Sequence, residues 1–179
     1  MRDWNVVATI HEGHFKAALQ FLRTFGELGK TDYFNVLVVK VDDIQRLLDD
    51  LRWEFQAAPG LQHVVSRIVP IGVSFDFQEP AEFEANVRQA VTRWLPKLAG
   101  ASFHVRMHRR GFKGRLSSQH EEQFVDRFIA DELSERGATA RIDFEDPDYI
   151  IDIETVGQRA GVGLWTRAQR LRYPFLKLD

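Results

Sequence analysis

The chain has 179 residues, with 24 Lys and Arg against 26 Asp and Glu and a formal net charge of −2. Any affinity for a polyanion must therefore come from local segregation of charge and not from the chain as a whole. Cysteine is absent, which excludes disulfides, thiolate zinc sites and thiol nucleophiles together, while 44% hydrophobic residues suffice for one large domain or two small ones.

Residues 4–10 (WNVVATI) form a short β-branched run that predicts a buried strand. Phe15, Ala18, Leu19, Leu22 and Phe25 fall at helical spacing, which predicts a helix over 14–28 that stops at Gly29. Residues 34–41 (FNVLVVKV) read as a second strand. Asp42 or Asp43 then caps a helix with Ile44, Leu47, Leu48, Leu51 and Phe55 on one stripe, closed by Pro59-Gly60. Residues 64–77 are strand-like, with Pro70 marking a break or an edge position.

A helix is expected over 81–95, with Phe83, Val87, Val91 and Leu95 on one face and Pro at its first turn. In 103–107 Phe103, Val105 and Met107 point one way, and His104, Arg106 and His108 the other. After a basic, glycine-punctuated loop, Ser117 or Ser118 starts a helix with Glu121 at capping-box distance from Ser118 and with Phe124, Phe128, Ile129 and Leu133 inward. Strands follow over 140–144, 149–156 and 162–166, then an amphipathic basic tail. No run of apolar residues approaches the roughly 20 that cross a bilayer. The N-terminal MRDWNVVATI has no signal-peptide core. A cytoplasmic protein without membrane contact is expected.

The cations are unevenly placed. Residues 102–118 hold five, Arg106, Arg109, Arg110, Lys113 and Arg115, and no acid; 156–179 hold Arg159, Arg167, Arg170, Arg172 and Lys177 against Asp179 alone. Arginine forks and glycines that admit close backbone approach suit phosphate recognition, and Phe112, Trp165 and Tyr173 are candidates to stack on unpaired bases. The expectation is that folding brings the two stretches into one anion-attracting surface.

Other constellations are weaker. His11-Glu-Gly-His14 lacks the HExxH spacing and a third ligand, and no metal site or cofactor is expected. Asp143, Glu145, Asp146 and Asp148 read as turn-formers around Pro147. Asp152 and Glu154 alternate with Ile151 and Ile153 as a half-exposed strand requires, one of them pairing with a strand arginine such as Arg106. No GxxxxGK[ST], GxGxxG or GxSxG motif occurs, and no catalytic residue is assigned.

The run FHVRMHRRGFKGRLSS (103–118), the helix EEQFVDRFIADEL (121–133), ARIDFEDPDYIIDIETV (140–156) with its Pro-Asp turn, and VGLWTR with the RYPFLKL tail resemble a THUMP domain. RIVPIGVSF (67–75) resembles the junction that follows the small ferredoxin-like domain preceding such modules. The layout is similar to stand-alone THUMP proteins that serve as tRNA-binding adaptors of tRNA cytidine acetylation. The resemblance implies an α/β (α+β) fold with a ferredoxin-like domain over 1–78 and a THUMP domain over 79–179. It implies binding of tRNA at the acceptor stem and 3′ end and its presentation to a separate tRNA-modifying enzyme such as a cytidine acetyltransferase. The contacts would come from Arg106, His108, Arg109, Arg110, Lys113 and Arg115, with Arg167, Arg170 and Arg172 as a second patch. Because the chain stops where THUMP-containing enzymes begin their catalytic domain, a binding role without catalysis is expected. One rival is a protein–protein adaptor whose basic patches meet an acidic partner; another is a small enzyme using the carboxylates between Asp143 and Glu154.

Overall fold

The computed structural model describes residues 1–178, which divide into two compact units, 1–71 with 170–177, and 72–169 with the end of the chain. The first unit runs β1 (Val6–Ile10), α1 (Phe15–Leu22), β2 (Glu27–Lys30), β3 (Val36–Lys40), α2 (Ile44–Ala57), a 3-10 turn and β4 (Val65–Pro70). Its antiparallel sheet has the order β2-β3-β1-β4. Two β-α-β passes interleaved in this way are the ferredoxin-like arrangement. Asp43 is the residue that caps α2, accepting from the backbone of Arg46 at 2.9 Å. Asn5 extends β1 with its side chain, exchanging bonds of 2.8 and 2.9 Å with the carbonyl and amide of Val41.

The helix expected over 14–28 ends at Leu22, and residues inside that span form β2. Gly26 explains the switch: a Cβ there would lie 2.2 Å from the carbonyl oxygen of Lys40, so only glycine lets β2 approach β3. Pro70 closes β4, an edge strand paired only to β1. The other side of β4 receives the tail, where Ile68 donates to the carbonyl of Phe175 at 3.0 Å. Tyr173 and Phe175 pack into the same unit, Phe175 against Phe55 at 5.4 Å and the Tyr173 hydroxyl on Asp49 at 2.9 Å.

The second unit contains β5 (Val73–Asp76), α3 (Pro80–Thr92), α4 (Leu95–Leu98), β6 (Ser102–His108), α5 (Ser118–Glu135), β7 (Arg141–Ile142), β8 (Tyr149–Val156) and β9 (Arg159–Thr166); α6 (Arg167–Arg172) follows. The sheet order is β5-β9-β8-β6-β7, with β6 parallel to β7 and β8 and the remaining pairs antiparallel. Phe83, Val87 and Val91 of α3 and Val125, Ile129 and Leu133 of α5 pack on Phe103, Val105, Ile151 and Ile153. The division differs from a cut at 78/79: the run 64–77 is two strands in two sheets, because β5 pairs with β9 and not with β1.

Beyond the two residues of β7, the outer edge of β6 has no strand partner. Helix α5 covers it with carboxylates one turn apart. Glu122 accepts from the amide of Met107 at 2.7 Å, and Asp126 accepts from the amide of Val105. Asp126 is 6% exposed, and its Oδ1 has no hydrogen-bond partner. Burial, reinforced by the charge of Glu122, pushes its pKa up to about 7. A carboxyl that holds its proton more tightly when folded stabilises the fold below its unfolded pKa and loses that contribution as pH rises toward 7. We expect Asp126→Asn to raise the unfolding free energy at pH 8 by on the order of 1–4 kcal/mol and to change it little at pH 4, by under about 1 kcal/mol, because the folded carboxyl is neutral there and the unfolded one only partly ionised. Urea melts at the two pH values measure this.

Candidate nucleic-acid interface

The basic loop expected from the sequence joins β6 to α5. It is held by backbone conformation as much as by contacts. Gly111, Phe112 and Gly114 have φ of 103°, 53° and 78°, and the amides of Arg115 and Leu116 both bond to the carbonyl of Phe112. The turn between β8 and β9 locks onto the start of the loop: Gly157 donates to the carbonyl of Arg110 at 2.9 Å, and the Arg110 amide donates to Thr155 Oγ1 at 2.9 Å. The loop thus stands on the C-terminal ends of the parallel strands β6 and β8.

Its cations have different fates. Lys113 is exposed, and Arg109 bonds only to the carbonyl of Gly111 in its own loop. Arg115, half exposed, pairs with the exposed Glu79 and lies 5.0 Å over the Phe112 ring. Arg106 is half-buried on β6, and its Nε has no hydrogen-bond partner. Arg110 is different in kind. Its side chain is 13% exposed and pairs with Glu154, which is wholly buried. His108 Nδ1 lies 3.4 Å from Asp152 and 3.6 Å from Glu154.

Asp152 and Glu154 are therefore not the half-exposed strand positions that their alternation with isoleucine implied; both are 0% exposed. The face of β8 opposite Ile151 and Ile153 is buried as well, and Ile150, His104 and Trp165 on that side are at most 5% exposed. Glu154 takes its arginine from the loop and not from Arg106 on the neighbouring strand.

Within this unit the second basic stretch is divided between the two ends of the sheet. Arg159 starts β9 beside the loop end of the sheet and pairs with Asp76 at 3.0 Å. Arg167 follows the far end of β9, where its amide meets the carbonyl of Asp148 just before β8 begins. The length of β8 separates them, seven steps of about 3.3 Å or roughly 23 Å. Arg167 there grips Asp146 at 2.9 Å and Asp148 at 3.0 Å. Asp148 is more than a turn-former. It accepts from both the amide and the hydroxyl of Ser102 at 2.8 Å, and these bonds, with the nearby Arg167, hold its pKa below the usual value. Arg170 and Arg172 belong to the first unit, where Arg172 pairs with Asp49 at 2.9 Å.

None of the proposed stacking aromatics is free. Trp165 and Tyr173 are 5% and 2% exposed, and Phe112 packs on Phe77 at 4.8 Å. The exposed rings are Phe34, Trp53 and Phe144, which alternation and helical spacing did not single out.

The α5 capping box also falls elsewhere. Ser117 is the N-cap and bonds the amide of His120, which places Glu121 one position too far along to reach back. Glu121 turns inward instead, 2% exposed, with Oε1 3.1 Å from His120 Nδ1. Burial raises its pKa, and the charge of Glu84 on α3 adds to the rise against the opposing bond to His120. Among the described residues, His11 and His14 join no cluster of three metal-binding groups; Glu84, His120 and Glu121 make one, and His108, Asp152 and Glu154 another.

No family model matches the chain, and no curated protein matches it. Solved structures do. TrmN from Thermus thermophilus superposes with a TM-score of 0.61 at 17% identity, over 89% of this chain and 44% of its own. PH1313 from Pyrococcus horikoshii Ot3 gives 0.59 at 16%, over 90% and 55%. A 4-thiouridine synthetase, solved as an RNA complex with bound ATP, gives 0.54 at 12%, over 92% and 42%. The shared fold is a ferredoxin-like unit followed by a THUMP-like unit. The chain spans about half the length of these proteins, and at such identities the likeness establishes fold alone. No helix among the described residues is long and apolar enough to cross a membrane.

The loop cations should separate by mutation. Arg110→Ala leaves Glu154 buried without its guanidinium and should cost roughly 3–5 kcal/mol. Lys113→Ala should change stability by no more than about 0.5 kcal/mol. Guanidinium unfolding of the two variants measures the difference.

Proposed function

We propose that this chain binds structured RNA, tRNA foremost, and presents it to a separate modifying enzyme. The observation that carries the reading is the pre-formed cationic loop between β6 and α5, in a fold shared with a synthetase solved on RNA. A loop whose backbone is already fixed loses little entropy on meeting a phosphate, so each charge-assisted bond contributes more of its strength to affinity.

Arg109, Lys113 and Arg115 are the phosphate ligands in this reading. The Arg115–Glu79 pair is exposed and of little worth in water, so a phosphate can take the guanidinium from Glu79. Arg106 and His108 flank the loop. Arg110 acts as its foundation, because its charge is committed to Glu154. Arg167, Arg170 and Arg172 form secondary contacts of the same exchangeable type, each with its own requirement of displacing or sharing an aspartate partner where one is present. Recognition by shape and by the single-stranded 3′ end is the mode suited to an A-form acceptor stem, whose deep groove side chains cannot read.

A role without catalysis, with chemistry supplied by an enzyme such as a cytidine acetyltransferase, is supported by the burial of Asp152 and Glu154. A carboxylate that is 0% exposed and ion-paired is poorly placed to exchange protons with a substrate.

In fluorescence anisotropy with unmodified tRNA, the double variant Arg109→Ala/Lys113→Ala should bind more weakly and flatten the log–log salt dependence by about one to two units. Unchanged affinity and slope in a folded double variant would remove the loop from the interface. Retention of an acidic protein by the wild-type chain after nuclease treatment, with no tRNA binding, would favour the protein–protein adaptor instead.

A further inference from the structure

Helices α3 and α5 pack side by side, and three ligand-type side chains meet where α5 begins. Glu84 reaches from α3; His120 and Glu121 come from the first turns of α5. One donor atom from each lies within 4.8 Å of the other two. We propose that Glu84, His120 and Glu121 form a binding site for a divalent transition-metal ion of the Zn²⁺ type, with water completing the coordination.

Four features favour a bound cation over a chance grouping. Glu121 is 2% exposed, and its Oε2 is buried with no hydrogen-bond partner. A desolvated carboxylate oxygen without a donor is costly, and a metal ion would satisfy it. Charge is also unbalanced. Two carboxylates meet at this point, and the helix N-terminus offsets only about half a unit of negative charge. Arg88, one turn beyond Glu84, does not supply the difference, because its guanidinium is turned onto the rings of Phe124 and Phe128 at 4.6 and 5.7 Å. Geometry is close to what is needed. His120 Nδ1 and Glu121 Oε1 are hydrogen-bonded at 3.1 Å, close to the roughly 3.3 Å between donors on a tetrahedral zinc ion, and Glu84 offers a donor atom within 4.8 Å of both residues. Finally, the donor set selects the class. An imidazole with two carboxylates suits zinc-type ions, whereas Mg²⁺ prefers oxygen donors alone.

Helix α5 also covers the β6 edge and begins at the end of the basic loop. A bound ion would therefore clamp α3 to the start of α5, directly after the loop.

The test uses the full chain after chelator treatment, titrated calorimetrically with ZnCl₂ in the presence of excess MgCl₂. One Zn²⁺ per chain is expected. Exposed His120→Asn and half-buried Glu84→Gln, neither of which removes a core residue, should each weaken it by at least about tenfold. Co²⁺ should give visible absorption bands in the wild type that His120→Asn loses. The double variant His11→Asn/His14→Asn should bind as the wild type does. Absence of a stoichiometric site overturns the proposal. So does wild-type affinity in both His120→Asn and Glu84→Gln, or loss of binding in His11→Asn/His14→Asn alone, which would mark an adventitious site on the surface histidines.

Discussion

The second unit depends on neutralising carboxylates that its central strand buries. Asp152 and Glu154 sit in the middle of the sheet with no exposure, and an isolated carboxylate in that position would not remain charged. The guanidinium of Arg110, two residues beyond β6, meets Glu154, and the chain then turns back through left-handed Gly111 and Phe112. The β8–β9 turn then grips the same residue through its carbonyl and amide. Charge compensation and loop shape are one constraint. The loop that offers Lys113 to solvent is rigid because its neighbour Arg110 is anchored inside.

This coupling explains which parts of the architecture were legible in the sequence. Strand β8 was readable from YIIDIETV to the residue, and α2 from its leucine stripe and Asp43 cap, because local pattern and tertiary role agree there. Strand β2 was not. Its residues continue the helical spacing of α1, and only the approach of Gly26 to Lys40 in three dimensions reveals the strand. The split between β4 and β5 was half legible: Pro70 marked the break, but nothing local states that Val73 will pair with Val162, far along the chain.

For the candidate site, the cations themselves were legible and their partners were not. Alternation says that Asp152 and Ile151 face opposite ways; it cannot say that both faces are buried. Reading the second face as solvent left Glu154 half-exposed, which its full burial corrects, and gave no sign that Arg110 pairs with it. The division of the second stretch within this unit was hidden for a related reason. Arg110 and Arg167 are attached to opposite ends of β8 and β9, and strand direction, which fixes their separation, is not encoded in the local run of arginines.

Carboxylates on α5 show the same economy from the helix side. Glu121, Glu122 and Asp126 lie on the buried face of a helix whose exposed face has room for them. Glu122 and Asp126 accept the amides that β6 would otherwise offer to another strand, so they protect an open sheet edge as an added strand would. A neutral Asp126 still accepts such a bond, more weakly than a charged one, so burial of an acid is tolerable there. Glu121 has no such amide to receive. Its Oε2 is buried without a hydrogen-bond partner beside Glu84 and His120, so the same helix that closes one edge of the sheet with hydrogen bonds leaves, next to Glu122, a group that a cation or a proton would complete. A proton would satisfy Glu121 alone, whereas a divalent ion would engage both carboxylates and tie α3 to α5.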